Sequence, residues 1–385
     1  DYRRVKERKD EVVTRTGVGH AERAYREAGV RLIQHEARFI SPVAVEANGR
    51  SYTADRFLVA TGSTTRIPEA PGLGDAGFLT FETAIDLTQL PESILIVGGG
   101  PVGCEFTQLF STFGTRVILA DHNEHLLHRE DHEVGETLAG LFNSRGVRVL
   151  TRTTVERVER IAGSKFVTVE RDRLDQVVEV DEILIATGKR PVLDLGLELA
   201  GVSYEETKGV IVDNTLRTTN PAVYAAGDCG GPYRLTHVAS YQGRLAVENA
   251  FSVNPRPVDY RAIPRCVFTS PEVAAVGLTE RQARDKGDIS VGRAEIARLD
   301  RASTVEQFTG FVKVIVDAAQ RLVGASIVAP RAGELIHELT LAIAVGATAK
   351  QVADVIHAFP TFSEAIQSAC ADVKDRPQQY SPPEM

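Results

Sequence analysis

The stretch Ile94-Leu95-Ile96-Val97-Gly98-Gly99-Gly100-Pro101-Val102-Gly103-Cys104-Glu105 constrains this chain more than any other. An unbroken apolar run enters Gly98-x-Gly100-x-x-Gly103. A helical stretch then extends to Phe113, Gly114 follows, and a second apolar run, RVILA, ends at Asp121. Each glycine has a physical job. Gly98 permits a tight turn, Gly100 lets a pyrophosphate approach the backbone, and Gly103 lets the helix lie close to the strand. Gly99, Pro101 and Val102 complete a loop that opens a helix. There the free N–H groups and the helix dipole favour an anion. Asp121 stands 18 residues beyond Gly103, near the roughly 20 expected for an acid that accepts from a ribose 2′-hydroxyl. In this setting the motif reads as a dinucleotide loop. The alternative is a glycine-rich turn with no ligand.

Asp121 also bears on the choice of nucleotide. A carboxylate accepts from a free 2′-hydroxyl and repels a 2′-phosphate, so NADH is favoured over NADPH. His122, His125, His128 and Arg129 follow closely. They read either as contacts to a phosphate or as a solvated loop.

Composition excludes several classes. At 385 residues the chain is too long for one ordinary core. With 43% hydrophobic and 25% charged residues it has a globular balance, which argues against a disordered or fibrous chain. The net charge is −8 and no basic run stands out, so no nucleic-acid partner is expected. No apolar stretch approaches the ~20 residues of a membrane span, so no integral membrane protein is expected. Cys104, Cys229, Cys266 and Cys370 are far apart and form no CxxC or CxxxxC pair. No metal site or local dithiol is expected from them, and buried free thiols in a cytoplasmic protein are. The chain opens with Asp1, and its single methionine is Met385. We therefore expect residues to precede it in the complete protein.

The rest of the chain divides by pattern. Residues 2–28 read as one or two helices broken near Gly17–Gly19. Residues 30–62 read as a small β-meander with a turn at Asn48-Gly49, ending in a buried strand at Phe57–Ala60. After the Pro/Gly-rich linker RIPEAPGLGDAG, residues 93–190 alternate strands with helices, one of them near Glu133–Ser144. That is the pattern of a parallel sheet with crossover helices. Residues 198–262 mix short strands with a helix near Ser240–Phe251. From Pro264, strands precede helices near Ala332–Val345 and Lys350–Ile356, which suggests a separate α+β domain. The Pro-rich tail at 375–385 reads as loose.

Several ordered motifs resemble the FAD-dependent pyridine nucleotide-disulfide oxidoreductases, within them the mercuric reductase and dihydrolipoyl dehydrogenase branch. Leu58-Val59-Ala60-Thr61-Gly62-Ser63 resembles the first ATG segment, near the flavin. GGGPVGCE at 98–105 resembles the NAD(P)H loop. Ile185-Ala186-Thr187-Gly188-Lys189-Arg190-Pro191 resembles the second ATG, whose Gly188 would lie by the nicotinamide nucleotide. Thr218–Asp228, ending AAGD, is the most specific match. The resemblance implies that Asp228 accepts from the ribityl chain of FAD, and that Arg234, Leu235, Thr236 and His237 make backbone contacts to the flavin ring. It implies a nicotinamide-side carboxylate at Glu105 and an adenine-side backbone contact at Val155. Read without it, Glu105 is a helix-surface acid, Val155 is core, and Gly-Asp is a turn. FTSPEV at 268–273 and HAFPTFSE at 357–364 resemble marks of a dimerisation domain.

The chain departs from that family in three places. The family opens with its own FAD-binding glycine loop and a helix bearing a CxxxxC redox pair, and the family order puts both ahead of Asp1. Phe359 stands where disulfide-reducing members carry a histidine before the proline, while its usual partner, Glu364, remains; His357 reads as structural. Imidazole suits proton transfer near neutral pH, so its loss argues against an efficient dihydrolipoyl dehydrogenase. Only Cys370 stands where mercuric reductases carry a vicinal pair.

The expected fold is α/β, with two Rossmann-like (FAD and NAD(P)) dinucleotide-binding domains and a C-terminal α+β dimerisation domain, the first FAD-binding βαβ being absent from this chain. The expected division is 1–83 (first part of the FAD-binding domain), 84–197 (NAD(P)-binding), 198–262 (second part of the FAD-binding domain) and 263–385 (dimerisation). The expected function is that of a homodimeric, cytoplasmic FAD-dependent NAD(P)H oxidoreductase, mercuric-reductase-like, acting on a small-molecule disulfide or soft-metal acceptor, with Glu105 and Glu364 catalytic. Dihydrolipoyl dehydrogenase, a quinone-type flavoreductase, or a non-enzymatic nucleotide-binding remnant are the alternatives. Replacing Asp121 with serine should raise the NADPH:NADH ratio of kcat/KM; an unchanged ratio in steady-state kinetics would remove Asp121 from nucleotide choice.

Overall fold

A computed structural model describes residues 2–373, with the side chains of 18–21 excepted. The tail at 375–385 lies outside the described residues. The chain forms two compact units.

The first unit comprises Asp1–Ile67, Glu82–Leu90 and Gly188–Asp259. Helices Tyr2–Thr16 and Val18–Glu27 break at Gly17, as the sequence suggests. The meander is confined to three antiparallel strands, Ala37–Ser41, Ala44–Ala47 and Arg50–Thr53. The expected fourth strand, Phe57–Val59, leaves it and pairs in parallel with Val223–Ala225. Only Val59 of that strand is buried, and Leu58 is 40% exposed. Its partner strand Val223–Ala225 is buried throughout, with Tyr224 packed against Leu245. The helix expected at Ser240–Phe251 starts earlier and runs Thr236–Ala250.

The second unit comprises Pro68–Phe81, Pro91–Thr187 and Tyr260–Met385. Its four-stranded parallel sheet has the order Glu182–Ile185, Ser93–Val97, Arg116–Ala120, Arg148–Leu150. Leu95, Val97, Ile118, Ala120, Ile183 and Ile185 share one face and pack with Val158, Val167, Val169 and Val178 of a three-stranded antiparallel sheet. Ile94, Ile96, Leu119 and Leu184 alternate with them and are fully buried as well. Burial of both faces explains why these strands read as continuous apolar runs. Because the strands are parallel, Gly98, Asp121 and Ala186 follow their carboxyl ends at a single edge of the sheet.

The C-terminal part of this unit is a five-stranded antiparallel sheet in the order Pro264–Val267, Glu272–Gly277, Leu322–Ala329, Phe311–Asp317, Ile289–Glu295. It packs against helices Ala332–Val345 and Glu364–Ala371 around Val312, Val314, Ile327, Ile336 and Ile366. The helix expected at Lys350–Ile356 is shorter, Ala349–Ala353, and starts at a capping box of Thr348 and Gln351. Helix Glu364–Ala371 was not foreseen. Cys104, Cys229 and Cys370 are buried free thiols, and Cys266 is half-buried and free. Burial pushes the thiols of Cys104 and Cys229 up, and that of Cys370 up to about 12.

One buried charge ties the five-stranded sheet to the start of a helix in the nucleotide-loop part of this unit. Lys313, on the five-stranded sheet, is 2% exposed. Its Nζ lies 2.6 Å from Glu280 Oε2, 2.7 Å from Glu133 Oε1 and 3.4 Å from Asp131 Oδ2. Asp131 and Glu133 open the helix His132–Ser144 that follows the nucleotide-loop segment. Asp131 Oδ1 also accepts from Glu280 N at 2.8 Å, and Oδ2 from Ser326 Oγ at 3.2 Å. Burial opposes the lysine's charge, but the three carboxylates outweigh it and its pKa is raised. A group whose folded pKa is raised contributes fully below its unfolded value. This contribution is therefore present at neutral pH and is lost only as the pH climbs above about 10.5. Removing one partner of a buried pair strands the others. Lys313→Met should lower unfolding stability by about 3 kcal/mol at pH 7; a urea midpoint unchanged from wild type would contradict the tie.

Candidate functional site

The glycine loop lies in the second unit. Strand Ser93–Val97 ends at Gly98, whose φ of +112° lies where side chains are strained. A Cβ on Gly98 would sit 2.4 Å from the Ala186 carbonyl oxygen. Helix Pro101–Thr112 begins at Gly100 with Pro101 in its first turn. A Cβ on Gly103 would fall 1.8 Å from the Gly98 carbonyl oxygen, so only glycine lets the helix lie this close. At Gly100 the reverse holds, and a Cβ would meet nothing within 4 Å. That open backbone beside helix N–H groups suits an anionic diphosphate. Pro101 is exposed and Val102 half-buried at the same turn.

Asp121 follows strand Arg116–Ala120 and is 4% exposed. Its Oδ2 accepts from Gly99 N, and its Oδ1 accepts from Asn123 N at 2.6 Å and Asn123 Nδ2 at 2.7 Å. The side chain expected to meet a ribose thus braces the loop, and any ribose bond would use the remaining lone pairs. His122, His128 and Arg129 are exposed. His125 Nδ1 lies 2.9 Å from the Leu126 carbonyl oxygen, and its ring meets that of His132 edge-on at 4.8 Å. Val155 is half-buried against the core of the parallel sheet.

Glu105, one turn into the helix, is half-buried, and its Oε1 accepts from Phe268 N at 2.9 Å. Burial raises its pKa, and the Phe268 bond only partly offsets this. Gln108, on the same helix, accepts from Ser270 N at 2.7 Å. The helix is thereby fastened to the loop after strand Pro264–Val267.

The second cluster lies in the first unit. Strand Ser63–Thr65 pairs with Lys189–Pro191, which brings two distant motifs together. Asp228, in a short turn after strand Val223–Ala225, accepts from Ser63 Oγ at 2.7 Å and from Lys189 Nζ at 3.1 Å, both on Oδ2. Its Oδ1 accepts from no group among the described residues. Gly227 N donates to Gln242 Oε1 at 2.7 Å and fixes that turn. Gly62 and Gly188 have φ of +71° and +102°, and a Cβ on either would meet nothing within 4 Å. Thr61 Oγ1 donates to Val192 O at 3.0 Å. Arg234 reaches back to the carbonyls of Lys189 and Thr207. Leu235 precedes helix Thr236–Ala250, which opens with Thr236 and His237 without a side-chain cap. An uncommitted carboxylate oxygen beside open glycine backbone fits a polyol such as the flavin's ribityl chain.

Glu364 accepts from Thr361 N at 2.8 Å and holds the turn after Phe359. Phe359 is 70% exposed. The His357 side chain is instead only 5% exposed, with Nε2 2.9 Å from Glu338 Oε1 and Nδ1 2.8 Å from Val355 O. Sequence reading missed Lys189, Asn123 and Glu338. Only the family-like pairing of the two ATG segments could have pointed to Lys189.

A family model described as pyridine nucleotide-disulphide oxidoreductase matches residues 2–243, and the dimerisation-domain model of the same family matches 263–370. The chain belongs to this family. Membership implies FAD and a pyridine nucleotide. The chain is 34% identical to a mercuric reductase of Staphylococcus aureus over 89% of its own length and 63% of that protein's. It is 36% identical to a dihydrolipoyl dehydrogenase of Thermus scotoductus, over 88% of the chain and 74% of the relative. The solved HOCl-induced flavoprotein disulfide reductase RclA of Escherichia coli superposes with a TM-score of 0.87 at 28% identity, covering 97% of this chain and 86% of RclA. The chain spans less than two thirds of the mercuric reductases it matches in S. aureus and Bacillus cereus, 63% and 54%. Gly103→Ala should weaken NADH binding at least about tenfold, because the helix must back away from Gly98; an affinity unchanged by titration would show that the loop does not carry the nucleotide.

Proposed function

We propose that this chain belongs to an FAD-dependent NAD(P)H oxidoreductase whose electrons leave to a soft-metal or disulfide acceptor, in the manner of mercuric reductases. The observation that carries this is the pairing, in one polypeptide, of an open glycine loop with a carboxylate left half-satisfied among open glycines. Gly98–Gly103, braced by Asp121, would hold the nucleotide pyrophosphate, with Val155 toward the adenine side and Glu105 toward the nicotinamide. Asp121 leaves NADH favoured over NADPH. Asp228, with Thr61, Gly62, Ser63, Gly188 and the 234–237 segment, would hold the flavin. When bound, FAD supplies the chemistry that takes a hydride from the reduced nicotinamide. The chain's part is placement, local charge and the exclusion of water.

Phe359 decides among acceptors. An exposed phenyl ring stands where a thiol-handling imidazole is expected, Glu364 gives one oxygen, Oε2, to its own turn, and the His357 ring is held by Glu338. Proton transfer to a dithiol is therefore unserved, which favours a metal ion over lipoamide. The four-segment domain division stated above is part of this proposal, as are a cytoplasmic location and a homodimer. The dimer is supported by the apolar side chains Leu341, Val345, Val355, Ile356 and Phe359, each more than half exposed on the C-terminal part. Among the described residues no helix is long and apolar enough to cross a membrane.

The test uses the full-length polypeptide. Purified protein should be yellow with bound flavin, dimeric by sedimentation, and should oxidise NADH faster with Hg(II) than with lipoamide. Lipoamide turnover above that with Hg(II) would return the reading to dihydrolipoyl dehydrogenase. Quinone turnover that survives thiol alkylation would point to a general flavoreductase. A colourless dimer that binds NADH without oxidising it would reduce the protein to a nucleotide-binding remnant.

A further inference from the structure

We propose that Lys189 is a positioning residue for the flavin, acting through Asp228. The inference rests on reading Asp228 as the ribityl acceptor. A carboxylate offers about four lone-pair sites, yet Ser63 Oγ and Lys189 Nζ both fall on Oδ2, and among the described residues nothing falls on Oδ1. Two donors on one oxygen prevent the carboxylate from turning without losing both bonds. The second oxygen is thereby held in one direction before any ligand arrives, which removes an ordering cost from binding. The lysine bond is charge-assisted and so roughly twice as strong as a neutral one.

The stem of Lys189 is itself anchored. Its backbone pairs with Thr65 across the two short strands, and its carbonyl accepts from Arg234. Gly188, just before it, keeps the approach open. The exposure of the pair argues against a purely fold-holding role. The Lys189 side chain is 37% exposed and that of Asp228 14%. With its lysine open to solvent, the pair is screened and contributes less to stability than a fully buried one, while it can strongly constrain what the carboxylate presents.

The experiment measures FAD dissociation constants of the full-length polypeptide by quenching of flavin fluorescence. Lys189→Met should raise the constant about tenfold, and Lys189→Arg should bring it back to within about threefold of wild type. In an Asp228→Asn background, Lys189→Met should cost less than about twofold more, because the lysine's effect on the flavin runs through that carboxylate. Lys189→Gln takes the place of the methionine variant if that one fails to fold, with NADH binding at the glycine loop as the check. A Lys189→Met constant equal to wild type overturns the proposal, as does a tenfold loss that persists undiminished in the Asp228→Asn background. If Asp228→Asn alone leaves FAD affinity unchanged, the flavin reading of Asp228 fails, and this inference fails with it. A loss with Asp228→Asn but none with Lys189→Met overturns the inference alone.

Discussion

The close seat of helix Pro101–Thr112 on its own loop is the constraint from which the nucleotide site follows. With 1.8 Å between a notional Gly103 Cβ and the Gly98 oxygen, no side chain fits. The helix N-terminus can then stand over the open backbone at Gly100. Asp121 completes the arrangement from below by accepting from Gly99 N. Burying a carboxylate is costly unless its oxygens are hydrogen-bonded. Here the protein's own N–H groups supply those bonds, so the acid reinforces the turn.

The same use of charge recurs through the chain. Lys313 draws Asp131, Glu133 and Glu280 to one point and fixes the five-stranded sheet to the start of helix His132–Ser144. Arg265 grips Glu130 through Nε and Nη2, each at 2.8 Å, in the same region. Glu105 holds Phe268 N, and Glu364 holds Thr361 N. Several carboxylates that a reader of motifs would assign to chemistry are therefore also structural ties. A residue's presence in a motif says where it sits, while its partners say what it can still do. By that standard Asp228 still has Oδ1 to offer, and Glu364 has committed Oε2 to its own turn.

Much of this was legible in the sequence, for identifiable reasons. The strands of the parallel sheet are buried on both faces and so read as unbroken apolar runs. The glycine loop announces itself because three positions tolerate no other residue or must stay open. The strand at Phe57–Val59 misled because an apolar run indicates burial, while its sheet has only one neighbouring strand and leaves Leu58 exposed. Lys189 was invisible because its partner lies 39 residues away in sequence and is reached only through a strand pairing. His357 and Glu338 meet for the same kind of reason, across two elements that periodicity cannot place together.

On the reading proposed above, one polypeptide carries both the seat of a nicotinamide reductant and the seat of a flavin. An anaerobic titration of the full-length protein with NADH, followed by the visible absorption of its bound flavin, tests this most directly. The flavin's colour should fade in proportion to the NADH added. Flavin that keeps its oxidised spectrum while NADH is demonstrably bound would contradict it.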